Sequence, residues 1–138
     1  MNLSIEQKLA IHEMLSRAAY AYDQRDLELL ESGFTEQAEM SLCIAKGDLI
    51  GPFVGREAIM GLMRSSMADQ TDVRRHVVSN VFFEREGDKP IAISNLTLVA
   101  TENGTANMLA TGIYRDELVE EGGKWKIVKR HVEMDSSY

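Results

Sequence analysis

Ile11, Leu15, Ala18 and Tyr22 recur at spacings of three and four, with Glu6, Glu13 and Arg17 on the opposite side. That pattern predicts an amphipathic helix over residues 5–23. Ser4 stands as its N-cap, with Glu6 and Gln7 in the first turn. Asp26 reads as the N-cap of a short second helix carrying Leu27, Leu30 and Glu31 and stopped by Gly33. The stretch AEMSLCIA (38–45) reads as a strand, and KGD (46–48) turns it into LIG as a hairpin. GREAIMGLMRSSMA (55–68) predicts a third helix with Ile59, Leu62 and Met63 facing inward. After residue 72 the apolar period changes from about 3.6 to 2. Long strands are then expected over 73–86, 91–102, 106–120 and 124–135, separated by EGDKP, ENGT and EEGGK. Asn103-Gly104 is the strongest hairpin signal among these. Helices followed by a meander describe an α+β fold, with three N-terminal helices packed on one face of a curved, mostly antiparallel sheet.

Length and charge narrow the reading. A chain of 138 residues is expected to form a single domain (1–138) with a substantial core. A net charge of -7 argues against nucleic acid, because phosphate contacts need clustered Lys and Arg. No apolar run approaches the roughly 20 residues of a membrane helix. MNLSIEQKLA lacks the basic-then-apolar pattern of a signal peptide, so a cytoplasmic location is expected. Cys43 is the only cysteine and the three histidines are scattered, so neither an internal disulfide nor a metal site is expected from the spacing. No cofactor is expected either.

The candidate chemistry lies in two short stretches. In RRHVVSNVFF (74–83), alternation places Arg74, His76, Val78, Asn80 and Phe82 on one face and Arg75, Val77, Ser79, Val81 and Phe83 on the other. Both faces are largely apolar, which predicts a strand covered on both sides. A buried imidazole needs partners. The nearest candidate carboxylate is Asp23, at the inner end of the first helix. Such a pair holds one imidazole tautomer, raises its basicity and leaves the other nitrogen as an acceptor. The plainer alternatives are a hydrogen-bonded structural histidine and a Tyr22-Asp23 pair that merely ends a helix. Met60, Met63 and Met67 on the third helix read as core and pocket lining. His12 is expected near the surface. Arg130 is placed inward with Val128 and Val132, and His131, of opposite parity, is grouped with Trp125 and Ile127 in a structural role.

AYDQRDLELLESGF, GPFVGREAI, RRHVVSN and GKWKIVKRHVEMD follow one another in an order that resembles the SnoaL-like superfamily. The resemblance covers nearly the whole chain. It implies the cone-shaped half-barrel shared with nuclear transport factor 2, scytalone dehydratase and ketosteroid isomerase (cystatin-like). Adjacent Tyr22 and Asp23 with a strand histidine at 76 look most like scytalone dehydratase. By that resemblance His76 is the base, Asp23 its partner, and Tyr22 polarises the substrate carbonyl. The chain departs from that family in having no histidine between 77 and 130 and no second tyrosine near Leu42. An Asp–His pair with a C-terminal arginine also resembles the superfamily's dehydrochlorinases, which makes Arg130 the natural match and Arg115 a weaker one. Asn80, Arg130, Phe53 and Val78 complete the expected substrate-binding set.

These readings converge on a cofactor-independent lyase or isomerase acting on a small apolar ring or carbonyl compound. Two rivals stand beside it. One is a non-catalytic small-molecule-binding protein of the same fold. The other is a structural subunit, because SNVFF, YRDEL and KWKIVKRHVEMD also resemble the small subunits of aromatic-ring dioxygenases. An exposed sheet face predicts self-association as a homo-oligomer, dimer or trimer.

Overall fold

The computed structural model describes residues 2–137. The chain forms α1 (Ile5–Gln24), α2 (Leu27–Ser32), β1 (Phe34–Ile44), β2 (Ile50–Val54), α3 (Arg56–Met67), β3 (Val73–Arg85), β4 (Ile91–Glu102), β5 (Thr105–Glu121) and β6 (Lys124–Met134). The strands make one curved sheet in the order β2-β1-β6-β5-β4-β3. The β1–β6 pair is parallel and the other neighbours are antiparallel. The helices pack on the sheet, α1 against β3 and α3 against β1.

Local chemistry sets these boundaries. Ser4 accepts from the Gln7 backbone N–H and Gln7 reaches back to the Ser4 N–H, a full capping box. Asp26 caps α2 through the Leu29 N–H. Two residues close the β4–β5 hairpin, Asn103 and Gly104, with φ of 53° and 78°. Both therefore occupy the left-handed region that a tight primed turn demands. β1 begins four residues earlier than the expected 38. The polar run Thr35-Glu36-Gln37 hides its start, but Phe34 is buried and pairs with Ile127 of β6.

The core joins Ile11, Leu15 and Ala21 of α1, Ile59, Met60 and Met63 of α3, and Leu96, Leu98, Leu118, Ile127 and Val132 of the sheet. On α3, Met60 takes the fully buried place and Leu62 lies partly buried beside it. β3 is an edge strand, and its outer face is open rather than covered, with Val73, Val77 and Phe82 exposed.

Two bulges reset the alternation along the strands. In β3 the register shifts between Ser79 and Phe82. Asn80 sits there at φ 56° and is exposed, so it leaves the face it was expected to share with His76. Val81 and Phe83 turn inward in place of Asn80 and Phe82. In β6 the register shifts opposite Glu117 and Leu118. Arg130 does point inward, but on the face of Trp125 and Ile127 rather than that of Val128, and His131 faces the other side.

Candidate active site

The C-terminal end of α1 presents Tyr22 and Asp23 to β3. Neither residue caps the helix, because Arg25 does so in the left-handed conformation, φ 54°. The Arg25 guanidinium then donates to the Asp72 carbonyl at 2.9 Å and to Gln70 Oε1 at 3.2 Å. These bonds tie the end of α1 to the segment just ahead of β3, four and six residues before His76.

Asp23 Oδ1 accepts two hydrogen bonds from His76, one from the backbone N–H at 2.8 Å and one at Nδ1, 2.7 Å away. An ionised carboxylate only accepts, so Nδ1 carries the ring proton and Nε2 keeps its lone pair. The two side chains are 9% and 13% exposed. Burial pushes the His76 pKa below its ordinary value, and the Arg74 and Arg130 charges push the same way. The Asp23 hydrogen bond and charge oppose that shift without cancelling it. The imidazole is thus neutral at neutral pH, the state a proton acceptor needs.

The Tyr22 ring stacks on the His76 ring, with centroids 4.8 Å apart and planes 29° from parallel. Its hydroxyl donates to Met63 Sδ at 2.7 Å. A thioether is a weak acceptor, so a ligand oxygen competes readily for that proton.

Tyr22 and His76 open on a cavity of about 250 Å³. Its wall is mainly apolar, built from Met40, Leu42, Met63, Leu98 and Val132 among others. The polar groups are few: Tyr22, His76, Tyr114, Arg74 and Gln70, with Ser66 and Ser137. An apolar hollow with a few convergent polar groups is the usual form of a small-molecule site. Arg74 donates to Asp72 at 2.9 Å, and that hydrogen bond holds the Asp72 carboxyl below the usual carboxylate range.

The remaining expected site residues lie elsewhere. Arg130 is inward but 3% exposed, and it forms a bidentate pair with Asp116 at 2.7 and 3.0 Å. Its guanidinium carbon lies 4.0 Å from the ring centroid of Tyr114, which lines the cavity. Burial alone disfavours the cation. The Asp116 charge and hydrogen bonds outweigh that, and the Arg130 pKa lies above its ordinary value. Phe53 and Val78 are partly buried against the core and are not among the cavity-lining residues, and Asn80 is outside on its bulge. Arg115 is half-exposed and pairs with Glu84. His12 is exposed.

Asp116 and Tyr114 were missed in the sequence. The signal was present, since Tyr114, Asp116 and Leu118 alternate with exposed Arg115 and partly exposed Glu117. A carboxylate on an inward-facing parity asks for a buried cation. Cys43, His131 and Glu133 gather on the sheet face opposite the cavity, with ligand atoms within 4.8 Å of one another. No helix among the described residues is long and apolar enough to cross a membrane.

Known proteins share this architecture. A protein with a cystatin-like fold from Nostoc punctiforme superposes with a TM-score of 0.81 at 22% identity, over 98% of this chain and 96% of that one. A protein from Catenulispora acidiphila, solved in complex with S-DNPA, gives 0.82 at 21% identity, over 96% of each chain. The beta subunit of a proposed aromatic-ring-hydroxylating dioxygenase from Novosphingobium aromaticivorans gives 0.78 at 17%, over 94% of this chain and 89% of that one. At these identities the likeness is one of fold. No curated protein matches in sequence. The model of the SnoaL-like domain matches residues 3–131, from ahead of α1 into β6, and the protein belongs to the SnoaL-like domain family.

Proposed function

We propose that the protein is a cofactor-independent lyase or isomerase acting on a small, mostly apolar ring or carbonyl compound. One observation carries the reading: an Asp23-held, neutral His76 opens on an apolar cavity. His76 Nε2 takes a proton from a carbon next to an electron-withdrawing group. The freed electron pair forms the new double bond as a leaving group departs, or the proton returns at another carbon. Asp23 orients the ring and stabilises the imidazolium. Tyr22, released from Met63, donates to the oxygen on which charge develops. The adjacency of Tyr22 and Asp23 supports a dehydratase of the scytalone type, and the Asp–His pair alone a dehydrochlorinase type. A bound small molecule in the Catenulispora acidiphila protein of the same fold supports a ligand in this cavity.

The test is turnover on a panel of hydroxylated and halogenated ring compounds, measured beside a melting curve for each variant. His76→Ala is expected to lower turnover by roughly 10²–10⁴-fold, the usual worth of a positioned acid–base group. Asp23→Asn falls in the same range and does not add to it, because the two residues act as a unit. Tyr22→Phe has a smaller effect, on turnover more than on apparent affinity. Full turnover in folded His76→Ala would overturn the reading. A second reading, ligand binding without turnover, is favoured by the Tyr22 hydroxyl resting on Met63. It predicts saturable binding of the same compounds with no product. A catalytic chain co-purifying at fixed stoichiometry would point instead to a structural subunit.

A further inference from the structure

On the face of the sheet opposite the cavity, β1 and β6 run parallel, with Ser41 beside His131 and Cys43 beside Glu133. Alternation sends Leu42, Ile44, Val132 and Met134 into the cavity wall and the other four side chains to the far side. There Cys43 Sγ, a His131 ring nitrogen and a Glu133 carboxylate oxygen lie within 4.8 Å of one another. We propose that Cys43, His131 and Glu133 form a binding site for a zinc-like divalent cation, independent of the cavity and of the chemistry proposed for it.

The donor set and its surroundings fit such an ion. A thiolate, an imidazole and a carboxylate select zinc or cobalt over magnesium or calcium. Three protein ligands leave a fourth tetrahedral position for water. Ligand atoms on one tetrahedral zinc lie roughly 3.3–3.7 Å apart, from its usual bond lengths. His131 Nε2 and Glu133 Oε1 lie 2.8 Å apart, and all three ligand atoms lie within 4.8 Å of one another. Small rotations of three partly exposed side chains therefore reach the tetrahedral span. His131 Nδ1 already meets Ser41 Oγ at 2.7 Å, and Ser41 is buried. With Nδ1–H donating to Ser41, Nε2 is the metal-facing nitrogen, the outer-sphere arrangement that commonly orients a ligating histidine. Asp48, on the turn after β1, adds negative charge near Cys43. Without the ion, His131 Nε2–H donates to the Glu133 carboxylate; on binding, the ring proton moves to Nδ1 and the thiol proton leaves to solvent.

The experiment is a titration of the full, metal-free chain with cobalt(II) under reducing conditions. The expected result is one ion per chain, with a thiolate-to-cobalt charge-transfer band that zinc(II) abolishes by displacement. Cys43→Ser should remove the band. Glu133→Gln and Ser41→Ala should each weaken binding about tenfold or more. His76→Ala, on the other side of the sheet, should leave spectrum and affinity unchanged. Absence of the band in the wild-type chain up to millimolar cobalt would overturn the proposal whatever the variants do. So would a band that survives Cys43→Ser or is lost in His76→Ala.

Discussion

His76 carries two opposed influences, and their balance has a measurable consequence. Burial lowers its pKa below the ordinary 6.5, helped by the Arg74 and Arg130 charges, while Asp23 raises it. The net direction is down, so the neutral base persists to lower pH than a free imidazole. The acid limb of kcat/KM is therefore expected below 6.5. Asp23→Asn removes the raising partner and should move that limb further down. For stability the sign is the same. A depressed folded-state pKa gives a contribution present above the unfolded value and lost as pH falls through the folded one. A pH–rate profile with its acid limb above 6.5 would contradict the assignment. Asp116 offers a second test at this scale. It is 0% exposed and is the bidentate partner of buried Arg130. Asp116→Ala strands a guanidinium in the core and should cost about 3–5 kcal/mol in a denaturant titration. Replacing both residues by apolar ones of similar volume should cost much less.

Among the elements, β5 and β6 show how one position constrains a wall of the cavity. Gly112 of β5 lies opposite Met134 of β6, and a Cβ there would meet the Glu133 carbonyl oxygen at 2.5 Å and Met134 Sδ at 3.2 Å. The oxygen is backbone and cannot swing aside, so the strands must part. Gly112→Ala should cost about 1–3 kcal/mol, in the range of core overpacking. It should also weaken ligand binding, because Met134 lines the cavity. An unchanged melting temperature in that variant would show that the β5–β6 pair yields more than this geometry suggests. The bulges act at the same scale. One extra residue in β3 turns Asn80 out and Val81 in, and another in β6 puts Arg130 in phase with Ile127. Strict period-2 counting cannot anticipate either, since a bulge leaves the local composition unchanged.

For the whole molecule, helices and sheet share one core, while Val73, Val77 and Phe82 of β3 and Ile113 of β5 remain exposed. The proposal at this scale is self-association through that sheet surface. Light scattering should give a dimer or trimer mass, and Phe82→Lys with Ile113→Lys should reduce it to that of one chain; a monomeric wild type would refute the idea. The apolar period, the capping residues and the turn dipeptides determined by themselves that there would be three helices and long hairpin-linked strands. Those signals are local, and each acts within a few residues of the structure it specifies. The same local signals placed Tyr22, Asp23 and His76 on inward-facing positions, but their meeting depends on Arg25 clamping α1 to the approach of β3. Pairing across the sheet likewise brought Asp116 to Arg130 and Cys43 to His131 and Glu133. Tertiary structure alone decided these contacts, because residues distant in sequence become neighbours through strand register, and register is set by packing and bulges over the whole sheet.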